Sequence, residues 1–198
     1  MGYTYVQLAF KRLRGLQGEH GPFRLFLSTA LNTSIITKLV KLTTENMCEV
    51  HYEPITKTSV RRNIVHRYGF VLLAGTSSTD NSNEEVIGYA AFRAIKEYEE
   101  RRLYIWELQV KEGYRSQGLG TQLLEVLTSL GRVAFTDVGV PNRFSLAVTC
   151  SQRNPSALCF YTQRGFINAP ESDENQPYLI LIKKVSSARK KDEKEGCQ

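Results

Sequence analysis

The stretch Arg115-Ser116-Gln117-Gly118-Leu119-Gly120 is the densest candidate for chemistry in this sequence. Two glycines one residue apart let a backbone approach an anion without Cβ interference and turn its N–H groups inward. A helix beginning directly after them would add unpaired amide donors and the positive end of its dipole. A pyrophosphate is the natural guest of such a loop, and a plain structural turn is the other use of the same pattern. Gly-Lys-Ser/Thr is absent, which excludes a P-loop, and no third glycine in reach completes a dinucleotide fingerprint. The four cysteines (Cys48, Cys150, Cys159 and Cys197) form no Cys-x-x-Cys pair. No metal site and no disulfide framework is therefore expected, and free thiols point to a reducing compartment, cytosol or nucleus.

The elements around the loop follow from periodicity. Ile35, Ile36, Leu39, Val40, Leu42 and Met47 fall at helical spacing over Ser34–Glu49, and a second helix is expected over Lys57–Val65. Tyr68–Ala74 reads as a buried strand, and Val86–Ile95 and Leu103–Val110 as two more, joined by the charged turn Lys96–Arg102. Between the first two lies a polar loop with hairpin chemistry at Asp80-Asn81-Ser82-Asn83. After the glycine loop come an amphipathic helix over Thr121–Leu130, a poorly patterned connector over Arg132–Pro141 and a strand over Phe144–Thr149. Asn154 and Pro155 open a helix that Gly165 stops, and Tyr178–Lys183 closes as a strand. A meander followed by strand, loop, helix, strand, helix, strand is a mixed α/β domain.

At 198 residues the chain suits one domain, and a chain of that size buries roughly 70% of its unfolded surface. Its 41% hydrophobic and 23% charged fractions exclude a wholly disordered or fibrous protein. The net charge of +6 sits at the ends: residues 1–24 and 183–198 each carry net +3, and the stretch between them is neutral. Gly15, Gly18, Gly21 and Pro22 read residues 1–24 as a basic arm, residues 25–184 as the domain, and residues 185–198 as a basic, disordered tail. No apolar run approaches 18 residues, so no membrane span is expected. Lys11, Arg12 and Arg14 interrupt any secretory core, and Val6 spoils a myristoylation motif at Gly2.

The loop and the segment Asn154-Pro155-Ser156-Ala157-Leu158-Cys159-Phe160-Tyr161-Thr162-Gln163-Arg164-Gly165-Phe166 together resemble the GNAT superfamily of N-acetyltransferases. The resemblance implies an α/β GNAT fold with a mixed, mostly antiparallel sheet flanked by helices. It implies a strand before the loop that splays from its neighbour, and acetyl-CoA as co-substrate. Cofactor contacts would come from Leu108, Gln109 and Val110, from Arg115, Ser116, Gln117, Gly118, Leu119, Gly120 and Thr121, and from Asn154. Tyr161 would stand where relatives protonate the departing thiolate, or serve only as a packed aromatic.

Within the superfamily, Leu42-Thr43-x-x-Asn46-Met47, Tyr104-Ile105-Trp106-Glu107-Leu108-Gln109-Val110 and Tyr178-Leu179-Ile180-Leu181 resemble the NatD family, which acetylates the α-amine of histone tails. Carried over, Glu107 would be the active-site carboxylate, and Tyr52 (or His51), Trp106, Thr149 and Tyr178 would line the peptide cleft. Glu97 would be one of two acidic residues gripping a basic peptide side chain, with Ile95 at the place of the other. Acetyl transfer needs a neutral amine and a route for its proton, and a glutamate between aromatics can be desolvated enough to act as base. The implied partners are protein N termini of histone type, with nucleosome or ribosome contact through the basic ends, in cytoplasm and nucleus. The rival readings are a GNAT enzyme for lysine side chains or small amines, and a silent acetyl-CoA-binding domain tethered by its ends.

Overall fold

Residues 2–75, 85–136 and 143–186 are described by a computed structural model of the chain, with side chains from residue 6 onward. Period-two alternation in β3 (Phe70–Gly75) sends Phe70 and Leu72 into one apolar cluster and Val71 and Leu73 into another. A strand buried on both sides requires cover on both faces of its sheet. On one face lie α1 (Gly2–Arg14), α4 (Leu119–Ala134) and α5 (Pro155–Thr162); on the other lie α2 (Thr33–Met47) and α3 (Lys57–Ile64). The leucines of α4 at 123, 124, 127 and 130 form the apolar stripe that seats it on the sheet.

Helix starts follow local chemistry. The Asn32 side chain accepts from the Ile35 amide at 2.8 Å, Thr56 and Ser59 close a reciprocal box at the start of α3, and Asn154 accepts from Ala157 at 3.0 Å. The described strands form one eight-stranded sheet in the order β1-β2-β3-β4-β5-β6-β8-β7. Its members are β1 (Gly18–His20), β2 (Phe23–Leu27), β3, β4 (Val86–Glu97), β5 (Glu100–Val110), β6 (Arg143–Ser151), β7 (Ile167–Asn168) and β8 (Tyr178–Ser186). All neighbours are antiparallel except β5 and β6. This is the GNAT architecture expected from the sequence.

Three expectations are corrected. Residues 1–24 are not irregular: α1 buries Ala9 and Leu13 in the main core, and Phe23 of β2 is 1% exposed. The glycines confine the breaks to the two short turns between α1, β1 and β2. The charged segment 96–102 is paired strand apart from Tyr98 and Glu99, whose positive φ values make the turn. Charge hid this pairing, because Arg102 is buried against three carboxylates. The last strand runs to Ser186 with Val185 buried, so the basic tail starts beyond it. The hairpin residues 80–83 and the tail from 187 lie outside the described residues. Among the described residues no helix is long and apolar enough to cross a membrane, and no group of His, Cys, Asp and Glu gathers to hold a metal.

Candidate active site

Strands β5 and β6 pair only from Arg102↔Ser145 to Ile105↔Val148. Beyond that point they part, and a cleft of about 560 Å³ opens between Trp106–Val110 on one side and Thr149–Ser151 on the other. A bulge sets what faces it. Ala91 of β4 opposes Glu107 and Phe92 opposes Ile105, so Trp106 is the extra residue. Without it Glu107 would share the face of Ile105 and enter the apolar core beneath α4. The extra residue turns Glu107 toward α2 and α3.

There Glu107 is 8% exposed and still lines the cleft. One carboxylate oxygen accepts from Asn63 Nδ2 and the other from Gln109 Nε2, each at 3.1 Å. Burial pushes its pKa up, and these two donors pull it part of the way back. Tyr161 reaches the same opening from α5 on the other face; it is 5% exposed, and burial, then Cys150 and Glu107, raise its phenol. A break in the sheet therefore brings a carboxylate from one face near a phenol from the other.

The loop end is built for an anion. Gly118 caps α4 at φ 85°, a left-handed conformation that strains any side chain, and a Cβ there would meet only the end of Gln122. Gly120 has a different reason: a Cβ would lie 3.0 Å from the Phe160 ring, so it permits α4 to pack on α5. Arg115, Ser116, Leu119 and Thr121 also line the cleft, whereas Gln117 is turned out and donates to the Gly113 carbonyl at 2.9 Å. Arg164, not singled out in the sequence, lies beside the same helix start. It donates to Thr121 Oγ1 at 2.8 Å and to the Phe160 carbonyl at 2.9 Å, with its guanidinium 4.0 Å over the Phe160 ring.

A model of the acetyltransferase (GNAT) family matches residues 42–166, spanning the cleft, the loop and α5. The chain belongs to the GNAT acetyltransferase family. No curated protein matches it in sequence. Among solved structures it is similar to the NatC complex bound to Gag peptide and CoA, with 18% identity and a TM-score of 0.58 over 82% of this chain and 98% of that one. An acyl-CoA N-acyltransferase from Pseudomonas aeruginosa gives 16% and 0.59 over 81% and 97%. Arabidopsis thaliana NAA60 in complex with acetyl-CoA gives 19% and 0.54 over 83% and 97%.

GNAT acetyltransferases use acetyl-CoA, and this chain has the features to hold it. The parted strands leave Leu108–Val110 lining the cleft, where a pantetheine arm would lie, although the Val110 carbonyl already accepts from Asn46 and Arg115. The donors at the start of α4, with Arg115 and Arg164 beside them, suit a pyrophosphate. The Asn154 side-chain oxygen is committed to its helix cap, which leaves only its amide nitrogen for a ligand.

Next to Trp106 and Thr149 of the cleft, aromatic rings from three segments gather. Tyr104 and Trp106 rings lie 5.2 Å apart, the Tyr104 hydroxyl meets Thr149 Oγ1 at 2.5 Å, and Tyr52 and Tyr178 rings are 4.9 Å apart. Of the two rivals, Tyr52 contacts Tyr178, while His51 stacks on Tyr52 and turns its ring nitrogen back on Glu53. Glu97 is not brought to the cleft. It sits at the tip of the β4–β5 hairpin, six β4 residues beyond Ala91, which opposes Glu107, and so about 20 Å from it. There it accepts from Arg102, which Glu100 and Glu171 also hold. Asn63, which donates to Glu107 from α3, carries no sequence signal, because its spacing matches a solvent-facing residue as well as one facing the sheet.

Proposed function

We propose that this GNAT acetyltransferase acetylates the α-amino group of protein N termini, with Glu107 as base and Tyr161 as proton donor. One observation carries the reading: the buried Glu107 carboxylate, turned by a bulge to the α2/α3 face, lines the gap between the parted strands beside Trp106. When bound, acetyl-CoA supplies the acetyl thioester. Glu107 accepts the proton lost by the amine, directly or through one water, and its raised pKa brings it closer to the operating pH than an ordinary carboxylate. A phenol is protonated at neutral pH and burial raises the Tyr161 pKa further, so it holds a proton that the departing thiolate can take. The rings of Tyr52, Tyr104, Trp106 and Tyr178 exclude water and orient the chain that carries the amine.

An α-amine with pKa near 8 is about 10% neutral at pH 7, far more than a lysine near 10.4. That difference favours the α-amine at a site with one base. The solved neighbours also include N-terminal acetyltransferases. The NatD resemblance adds histone-type tails, but Glu97 is spent on Arg102, so the reading does not require a basic side chain in the acceptor peptide. The test is acetyl-CoA with paired peptides, free or blocked at the N terminus, mapped by mass spectrometry. Acetylation of the free amine, lost on blocking, is expected. Modification of lysine in blocked peptides would overturn the α-amine reading, and binding of acetyl-CoA without turnover would leave a silent domain.

A further inference from the structure

Glu107 is held at the end of a hydrogen-bonded chain that crosses four structural elements. Arg115 Nη2 in the loop donates to Asn46 Oδ1 of α2 at 2.6 Å, and Asn46 Nδ2 donates to Gln109 Oε1 of β5 at 3.0 Å. Gln109 Nε2 then donates to one Glu107 oxygen at 3.1 Å, and Asn63 of α3 donates to the other. The direction of each link is forced. A guanidinium only donates, so the atom of Asn46 facing Arg115 must be its oxygen. The Asn46 nitrogen then faces two acceptors, Gln109 Oε1 and the Val110 carbonyl at 3.1 Å, one for each of its hydrogens. Gln109 is left with its nitrogen toward Glu107. Arg115 Nε, at 3.3 Å from the same Val110 carbonyl, fixes the first link.

We propose that Gln109 and Asn46 are positioning residues that orient Glu107 and favour its ionised form, with Asn46 acting only through Gln109. This rests on the reading of Glu107 as the base. With donors on both oxygens, the carboxylate is satisfied, whereas a protonated carboxyl finds no acceptor in either direction. The other titratable or charged groups around Glu107 do not supply this effect. Tyr89 of β4 and Tyr161 of α5 are uncharged at neutral pH, and Cys150 of β6 is a buried thiol pushed up to about 11. Arg93 of β4 is directed to the Asn63 carbonyl, 3.1 Å away, and over the Trp106 ring at 4.4 Å. Amide orientation around the base is thus set by a residue that never touches it.

The measurement is the Glu107 carboxyl pKa by carbon-13 NMR on protein labelled at glutamate side chains, the resonance being assigned by its loss in Glu107→Gln. Gln109→Met removes the donor at nearly constant shape. Asn46→Ala frees Gln109 to turn while leaving its contact with Glu107 possible, and Asn46 is half-buried at the cleft, so the truncation opens onto solvent. Gln109→Met is expected to raise the pKa by about one unit or more, and Asn46→Ala to raise it by less. The acidic limb of turnover should move with it. A value unchanged in Asn46→Ala overturns the proposal even if Gln109→Met shifts, and if Gln109→Met does not fold, Asn46→Ala alone decides. Full turnover in Glu107→Gln would instead remove Glu107 as base, leaving the NMR result to stand by itself.

Discussion

A glutamate within Tyr-Ile-Trp-Glu-Leu stands out because leaving a carboxylate among apolar neighbours is costly unless it is hydrogen-bonded or used. That much was visible from residue types, as was Tyr161 from its motif. The donors that hold the carboxylate were not: Asn63 and Gln109 are ordinary polar residues whose convergence depends on a bulge at Trp106 that no spacing rule announces. The same limit explains Glu97. The family resemblance puts it at a gripping position, yet strand pairing carries it to the far hairpin tip, where Arg102 holds it. At this scale Glu107→Gln is expected to keep acetyl-CoA binding and lose about 10² to 10⁴ in turnover. The sign of the pH effect follows from burial. Because the carboxyl is raised, the base appears only above the ordinary carboxylate range, so wild-type turnover should climb with pH through that raised pKa. The variant should lack that climb. Rate–pH profiles at saturating acetyl-CoA check both, and a variant within twofold of wild type at every pH would make Glu107 structural.

The elements were largely legible. Helical spacing gave α2, α3 and α4, and Asn154-Pro155 gave the start of α5, because capping chemistry and apolar periodicity are local. Strand ends were missed where charged residues pair, as at Lys96–Arg102, since a charge pattern says nothing about partners across a hairpin. The two glycines of the loop looked equivalent in sequence and differ in structure. Gly118 supplies a left-handed cap at φ 85°, while Gly120 makes room for the Phe160 ring. Their substitutions should therefore separate. Gly118→Val strains the loop where amide donors converge, so acetyl-CoA affinity is expected to fall at least about tenfold, or about 1.4 kcal/mol, with modest loss of stability. Gly120→Val overpacks the α4–α5 contact and is expected to cost about 1–3 kcal/mol in folding stability. Calorimetric titration and thermal melting of both variants test the distinction; equal effects on both quantities would erase it.

Across the whole molecule, the sequence divided the chain by charge and by glycine punctuation, and both criteria misplace the N-terminal boundary. Four glycine and proline residues within Gly15–Pro22 read as an unstructured arm, but they only shape two turns between α1, β1 and β2. What decides membership in a fold is burial. The α1 helix exposes Lys11 and Arg14, and on its other side it inserts Ala9 and Leu13 beside Phe23, Phe70 and the α4 leucines. Arg12 also donates to the Ala134 carbonyl at 3.2 Å, tying α1 to the end of α4. Since α4 begins at the anion loop, the N-terminal segment supports the helix whose other end faces the cofactor. A detachable arm would tolerate Leu13→Ala without consequence. A core residue at 0% exposure should not: the substitution is expected to cost about 2–5 kcal/mol, while Leu8→Ala on the exposed side stays within about 0.5 kcal/mol. Denaturant unfolding of the two variants decides between these views. Coincident midpoints for Leu13→Ala and wild type would return residues 1–24 to the status of an arm, and would separate α1 from the support of α4.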